Sequence, residues 1–378
     1  MTEPEAMSEL YAQRLQELEQ RCQDLETILE TTSEHADFIE AELEKRNDLI
    51  RQIFGRYVTR EVVEQLLSTP DGLKIGGERR EITVLTSDLR GFTALTERLL
   101  AEDVIRILNF YLGAMAEVII RHGGTINEFL GDGILVFFGA PSPCPDHARK
   151  ALLCALAMQA AIADVNRALA GWNYPKLEMG IGVTTGEAVV GNVGSEQRAK
   201  YGAVGGAVNL AYRIESYTMG GDVLASEATV RAAGPGVQLY GSAQCFPKGS
   251  RGPLLIYSIG GLAEAPELTL TMAEDALSTL LQPVPVRIFE VQDKDVALIA
   301  RDGLLQQLSG SSAELRFTSA DASPPLFANL RLELAGVGEA YAKVTSATAD
   351  PGRFVVRLTQ RSPAFAAWAA AQLSRPPP

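Results

Sequence analysis

Apolar residues recur at alternating steps of three and four along the start of the chain. The series runs Leu15, Leu18, Cys22, Leu25, Leu29, Thr32, Ala36, Ile39, Leu43, Arg46, Ile50 and Ile53. This narrow seam, flanked by Glu, Gln, Arg and Lys, is the pattern of a coiled coil that pairs with a second chain. Thr32, Ala36 and Arg46 weaken it, which suits a signalling helix better than a rigid rod. Residues 1–53 are therefore expected to form a dimerisation helix. Gly55 ends the pattern, Thr59 is placed to cap a shorter helix (REVVEQLL), and Pro70-Asp71-Gly72 marks a loop. Residues 54–80 read as a transducing helix and linker.

From Glu81 to Gly261 the pattern alternates between strand and helix. EITVLTSD predicts a strand, and the stretch from Ala94 to Gly123 a long amphipathic helix. TINEFLGDGILVFF predicts a hairpin turning at Gly131-Asp132-Gly133, followed by a helix from about His147 to Leu169. KLEMGIGVTTGEAVVGNVG predicts two strands joined at a Thr-Gly turn. Strand, helix, strand, strand, helix, strand is the order of a ferredoxin-like α/β sandwich. Residues 262–284 read as a linker with a short helix, AEDALSTLL. Residues 285–378 read as a small β-rich domain built from VALIA, AELRF, LRLEL, YAKVTSA and RFVVRL. It closes on a helix started by Ser362-Pro363, with Phe365, Trp368 and Leu373 on one face.

Composition narrows the function classes. The 378 residues carry 34 Lys+Arg against 47 Asp+Glu, a net charge of −13, which argues against unspecific binding to nucleic acid or anionic membrane. The start lacks the basic-then-apolar order of a signal peptide, and the apolar run from Ala151 to Ala163 is short for a span, so it reads as a buried helix. Cys22, Cys144, Cys154 and Cys245 lie far apart without a CxxC, so no zinc site is expected and a reducing cytoplasm is.

The candidate chemistry lies between two strands. Asp88 ends the first strand, just before Arg90-Gly91-Phe92-Thr93, and Asp132 sits at the hairpin tip. Taken singly, Asp88 is a loop cap and Asp132 a turn residue. As neighbours in one sheet the two carboxylates can converge, and hard oxygen ligands of this kind suit Mg²⁺ or Mn²⁺.

GERREITVLTSDLRGFT, HGGTINEFLGDGILVFFGAP, GIGVTTGEAVVGNVGS and AVNLAYRIES together resemble the class III nucleotidyl cyclase catalytic domain, over roughly Ile53 to Ile259. The resemblance implies a head-to-tail homodimer with shared active sites. It implies two metal ions per site, on Asp88, the Leu89 carbonyl and Asp132. The backbone of Leu89, Arg90, Gly91, Phe92 and Thr93 would hold the β- and γ-phosphates. From the partner chain would come Asn209 for the ribose and Arg213 for the charge building on the α-phosphate.

Base selection would fall to Glu128 and Gly202. Where adenylyl cyclases of the family carry Lys, this chain has Glu128, the guanylyl cyclase pattern. A carboxylate can accept from both guanine N1–H and the exocyclic amine, but would face the adenine N1 acceptor. Gly202 offers no side chain to the base. Gly206 replaces the family's Asp or Asn, and the family's KGK becomes Lys248-Gly249-Ser250, leaving a triphosphate contact to Arg251. The expected reaction is GTP to cGMP and pyrophosphate. The alternatives are cAMP from ATP, or a catalytically silent scaffold. The C-terminal region weakly resembles a PilZ-like barrel but lacks that family's arginine pair, since Arg287 and Arg301 stand alone. A protein partner is therefore expected there in preference to a cyclic dinucleotide.

Overall fold

The structure, a computed structural model, describes residues 3–54, 62–64, 74–245, 252–271, 276–292, 295–296, 300–319, 322–347, 350 and 352–374. It divides into two units, Met1–Gly72 and Leu73–Pro378. In the first, helix α1 (Glu3–Phe54) is the expected long helix. Its seam residues Leu15, Leu18, Leu25, Leu29, Ile39, Leu43 and Ile50 are all exposed. The side chain of Ile53, Thr59 and most of REVVEQLL lie outside the described residues.

The second unit opens with β1 (Gly76–Leu89), then α2 (Phe92–Thr96) and α3 (Ala101–Arg121). There follow the hairpin β2 (Thr125–Leu130) and β3 (Gly133–Phe138), helix α4 (His147–Gly171) and β4 (Met179–Ser195). These strands pair in the order β2-β3-β1-β4, the ferredoxin-like arrangement. Next come β5 (Arg198–Val204), α5 (Gly206–Tyr217), β6 (Val223–Ser226), α6 (Glu227–Ala233), β7 (Val237–Cys245) and β8 (Leu254–Leu262), which extend the sheet.

Alternation along β1 separates two cores. Leu85 and Leu89 pack with Ile107, Tyr111 and Met115 of α3 and Leu152 and Leu156 of α4. Ile82 and Val84 pack with Ala207 and Ala211 of α5 on the other face. Helix α4 is long and apolar enough to cross a membrane by length and composition, but Ala151, Leu152, Ala155, Leu156 and Met158 are buried in the first core.

One expected turn is absent. Thr185 and Gly186 lie inside the continuous strand β4, paired with Thr83 and Ile82 of β1. The glycines of this strand serve close approach instead. A Cβ on Gly182 would come 2.4 Å from the Glu215 nitrogen of α5.

The C-terminal region is a closed barrel. Strands β9 (Ser278–Gln292), β11 (Arg301–Leu308), β12 (Ser312–Phe317), β15 (Arg353–Arg361), β14 (Gly338–Ala347) and β13 (Asn329–Leu334) pair in that order, and β13 returns to β9. The short β10 (Asp295–Val296) adds to β9, and residues 297–299 of VALIA lie outside the described residues. The barrel begins earlier than expected. Ser278–Leu281, read as the end of a helix in the linker, is strand paired with β11. Helix α7 (Pro363–Leu373) starts as expected, with Ser362 Oγ accepting the Phe365 N–H at 3.3 Å. Phe365 is buried in the barrel core, with Trp368 and Leu373 packed against it.

Candidate active site

The pairing of β1 with β3 sets Ser87 opposite Ile134, which brings Asp88 to the hairpin turn. A Cβ on Gly133 would lie 3.5 Å from Asp88 Oδ1, a measure of how closely the turn approaches. Gly131 makes the turn possible with φ 66°, a left-handed conformation that favours glycine. The Leu89 N–H donates to Asp132 Oδ2 at 3.2 Å, so the two carboxylates converge. Burial, and after it the charge of Asp132, push the Asp88 carboxyl up to about 6, while Arg90 pulls it down. A divalent cation between the carboxylates would relieve their repulsion, and oxygen donors suit Mg²⁺ or Mn²⁺. Among the described residues no group of three or more His, Cys, Asp and Glu could hold a metal. Carbonyl, phosphate and water oxygens would have to complete a shell, as Mg²⁺ commonly allows.

Two of the five N–H groups expected to face phosphate are engaged within the chain. Leu89 donates to Asp132, and Arg90 donates to the Glu178 carbonyl at 2.7 Å. Gly91 (φ 72°), Phe92 and Thr93 remain for that role. The Arg90 side chain turns back toward α5, where it ion-pairs with Glu215 and donates to Thr218 Oγ1 at 3.2 Å. Sequence reasoning missed this link, because nothing in the spacing joins Arg90 to Glu215.

Asn209 and Arg213 are exposed, one turn apart on α5, while Ala207, Ala211 and Ile214 are buried. Among the described residues no hydrogen bond or ion pair joins either of them to Asp88 or Asp132 of its own chain. The helix starts at Gly206 behind Gly205, with no side-chain cap. A Cβ on Gly206 would meet nothing within 4 Å, so space does not require glycine there.

The two positions expected to select the base lie on neighbouring stretches of β2 and β5. A bulge between Ile126 and Glu128 takes Asn127 out of register with β3. Lys200 of β5 donates to Glu128 Oε2 at 2.8 Å, and a Cβ on Gly202 would lie 3.8 Å from Asn127 Oδ1. Burial, and then the Glu128 charge, raise Tyr212 of α5, which sets Glu128 near that helix. Lys200 went unnoticed in the sequence, although it lies two residues from Gly202 and so on the same side of a strand. Lys248, Gly249, Ser250 and Arg251 lie outside the described residues.

A cavity of about 780 Å³ opens between the sheet and the barrel, lined among others by Asp222, Phe327 and Arg357. Asp88, Asp132, Asn209 and Arg213 do not line it.

Residues 77–260 match the family model described as the adenylate and guanylate cyclase catalytic domain. The solved structure of the guanylyl cyclase Cya2 is 53% identical, with a TM-score of 0.51, and the match covers 52% of this chain and 100% of that one. Adenylate cyclase 1 of Rhizobium meliloti (strain 1021) is 31% identical over 262 residues, 68% of this chain. The chain spans little more than a third of the curated relatives it matches, 38% and 34% of the first two.

Proposed function

This chain belongs to the adenylate and guanylate cyclase family, and on that premise we propose that it is a homodimeric guanylate cyclase converting GTP to cGMP and pyrophosphate. The observation that carries the reading is the convergence of Asp88 and Asp132 at the β2–β3 turn, with Glu128 on the same hairpin. Asp88, Asp132 and the Leu89 carbonyl would hold two Mg²⁺ or Mn²⁺ ions, which supply charge stabilisation on the triphosphate and lower the pKa of the attacking hydroxyl. The ribose 3′-oxygen forms a bond to the α-phosphorus, the bond from that phosphorus to the β-bridging oxygen breaks to release pyrophosphate, and the hydroxyl proton passes to solvent water. Asn209 of one chain orients the ribose of the nucleotide held by the other. Arg213 offsets the charge growing on the α-phosphate, where a guanidinium acts best in a site shielded from water. The backbone of Gly91, Phe92 and Thr93 cradles the outer phosphates.

Glu128 supports guanine because a carboxylate can only accept. One observation favours ATP instead: Lys200 stands beside Glu128 and offers a donor, the complement of adenine N1. Product identification with GTP and ATP offered together with Mn²⁺ decides between them. We expect cGMP as the main product. Dominant cAMP would overturn the base assignment, and no product at all would leave a silent scaffold.

The exposed seam of α1 supports dimerisation through a coiled coil, which would keep two catalytic domains at high effective concentration. Deleting residues before Ile53, or replacing Leu25 and Leu29 by charged residues, should make specific activity fall steeply on dilution. Assays across a dilution series check this; a truncated chain whose full activity is independent of concentration would give the helix another job.

For the barrel, the same reading assigns protein contact in preference to a cyclic dinucleotide. Arg287 is taken up by Glu333 and the Phe289 ring, and Arg301 by Glu290 and the Phe317 ring.

A further inference from the structure

Lys343 of β14 and Arg357 of β15 are register partners, so two cations stand side by side on the barrel wall. Their neighbours Ala342, Val344, Val356 and Leu358 fill the inside. Like charges directly opposite one another destabilise a sheet unless acceptors offset them. Here the acceptors belong to the cyclase domain. Lys343 Nζ donates to the Ser216 carbonyl at 2.7 Å and the Thr218 carbonyl at 3.1 Å. Arg357 donates to the Gly220 carbonyl at 3.3 Å and lies 3.8 Å from Asp222 Oδ1. Three alternate carbonyls of one short segment are thus held by two barrel cations.

The segment held is the end of α5. Ser216 and Tyr217 are its last residues, where helix carbonyls lack partners and cations are favoured. Tyr217 also packs on Phe327 of the barrel, with ring centroids 5.3 Å apart. Ser216 Oγ in turn donates to the Arg213 carbonyl at 2.8 Å. Lys343 is only 5% exposed, and a buried ammonium is kept only where its partners are good. Burial, then Arg90, push it down to about 8 against the pull of Asp222, which leaves it mostly charged at neutral pH.

We propose that the C-terminal barrel is a positioning domain for the cyclase reaction. Lys343, seconded by Arg357, clamps the end of α5 and so fixes where Arg213 stands; this rests on the shared-site reading above. Lys343 is a positioning residue, acting through a helix that reaches into the partner's site.

The test uses full-length Lys343→Met. As a homodimer it should lose kcat by about ten- to hundredfold through misplacement of Arg213, with KM within about twofold. Unchanged kcat, or a loss carried by KM alone, would overturn the proposal. Mixed dimers then locate the effect. In a mixture of Asp88→Ala and Arg213→Ala chains, the one complete site takes its carboxylates from the second chain and its Arg213 from the first. Adding Lys343→Met to the Asp88→Ala chain should reduce activity about tenfold or more. Adding it to the Arg213→Ala chain should change activity less than about twofold. A general folding defect would act from either chain, so equal losses overturn the proposal. If the starting pair shows no activity despite proven chain exchange, the shared site is what fails, and the homodimer kinetics still decide the role of Lys343.

Discussion

Replacing Asp88 or Asp132 by alanine should abolish cyclisation while leaving the chain folded and dimeric. Each carboxylate is half of the only donor pair that converges at the β1 end and hairpin turn, among the described residues. Losing either removes the charge stabilisation that metal ions give a phosphoryl centre, several kcal/mol or about three decades and more in rate. Neither carboxylate is a core residue. The Asp132 change costs the Leu89 N–H one acceptor, roughly 1 kcal/mol. The Asp88 change should relieve the metal-free fold. With its pKa raised to about 6 from the ordinary 3.8, the folded chain binds more protons than the unfolded one between those values. Stability of the metal-free wild type should therefore fall as pH rises from about 4 to about 6, and Asp88→Ala should lack that fall. Melting temperatures across this range, together with turnover in Mn²⁺, check both halves. Retained activity in both variants would remove the two-metal assignment. Mixing Asp88→Ala with Arg213→Ala chains should restore about a quarter of the wild-type activity, since half the dimers formed carry one complete site of two.

The hairpin, its Asp-Gly turn and the strand before Asp88 were legible because each has a strong local signal. So was the long first helix. What the sequence concealed were glycines and prolines used against their usual meaning. Gly186 looked like a turn but continues β4, and Gly182 is there because α5 lies against it. Asp302-Gly303 likewise hid strand β11; a Cβ on Gly303 would come 2.8 Å from Ile288 and 2.9 Å from the Arg316 carbonyl. Pro283 and Pro285 made the start of β9 look like the end of a linker, since proline removes a ladder donor. The sheet accommodates them with a bulge, where the partner of β11 jumps from Val284 to Thr279. Leu277, Leu280 and Leu281 fit a helical spacing as well as a strand. The approach of Asp88 to Asp132 was legible, and the long-range partners of the residues around them were not. Lys200 on Glu128, Glu215 on Arg90, and Lys343 on the end of α5 are set by tertiary packing, which no local spacing encodes.

Changing Glu128 to lysine should reverse the chemistry offered to the base. If Glu128 accepts from the guanine N1–H and amine, Glu128→Lys sets a donor against donors and leaves both sides unpaired in a closed site. Each charged hydrogen bond lost costs roughly 1.5–3 kcal/mol, or about one to two decades in kcat/KM for GTP. The change also places a lysine beside Lys200, so the ion pair at 2.8 Å becomes a repulsion that further disfavours the closed pocket. Activity with ATP needs a second change, because the adenine amine requires an acceptor. Gly202 is the place for it: a Cβ there meets only Asn127 Oδ1, at an ordinary 3.8 Å, so the first atom of an Asp or Thr side chain is accommodated without moving backbone. Glu128→Lys with Gly202→Asp then supplies a donor for N1 and an acceptor for N6. The measurement is kcat/KM for both triphosphates in the wild type, the two single variants and the double. GTP should lead in the wild type and fall sharply in Glu128→Lys, with ATP rising in the double variant. A wild type that prefers ATP, or a Glu128→Lys variant with its GTP preference intact, would sink the assignment. In that case the donor beside the base would be Lys200, already in place for adenine.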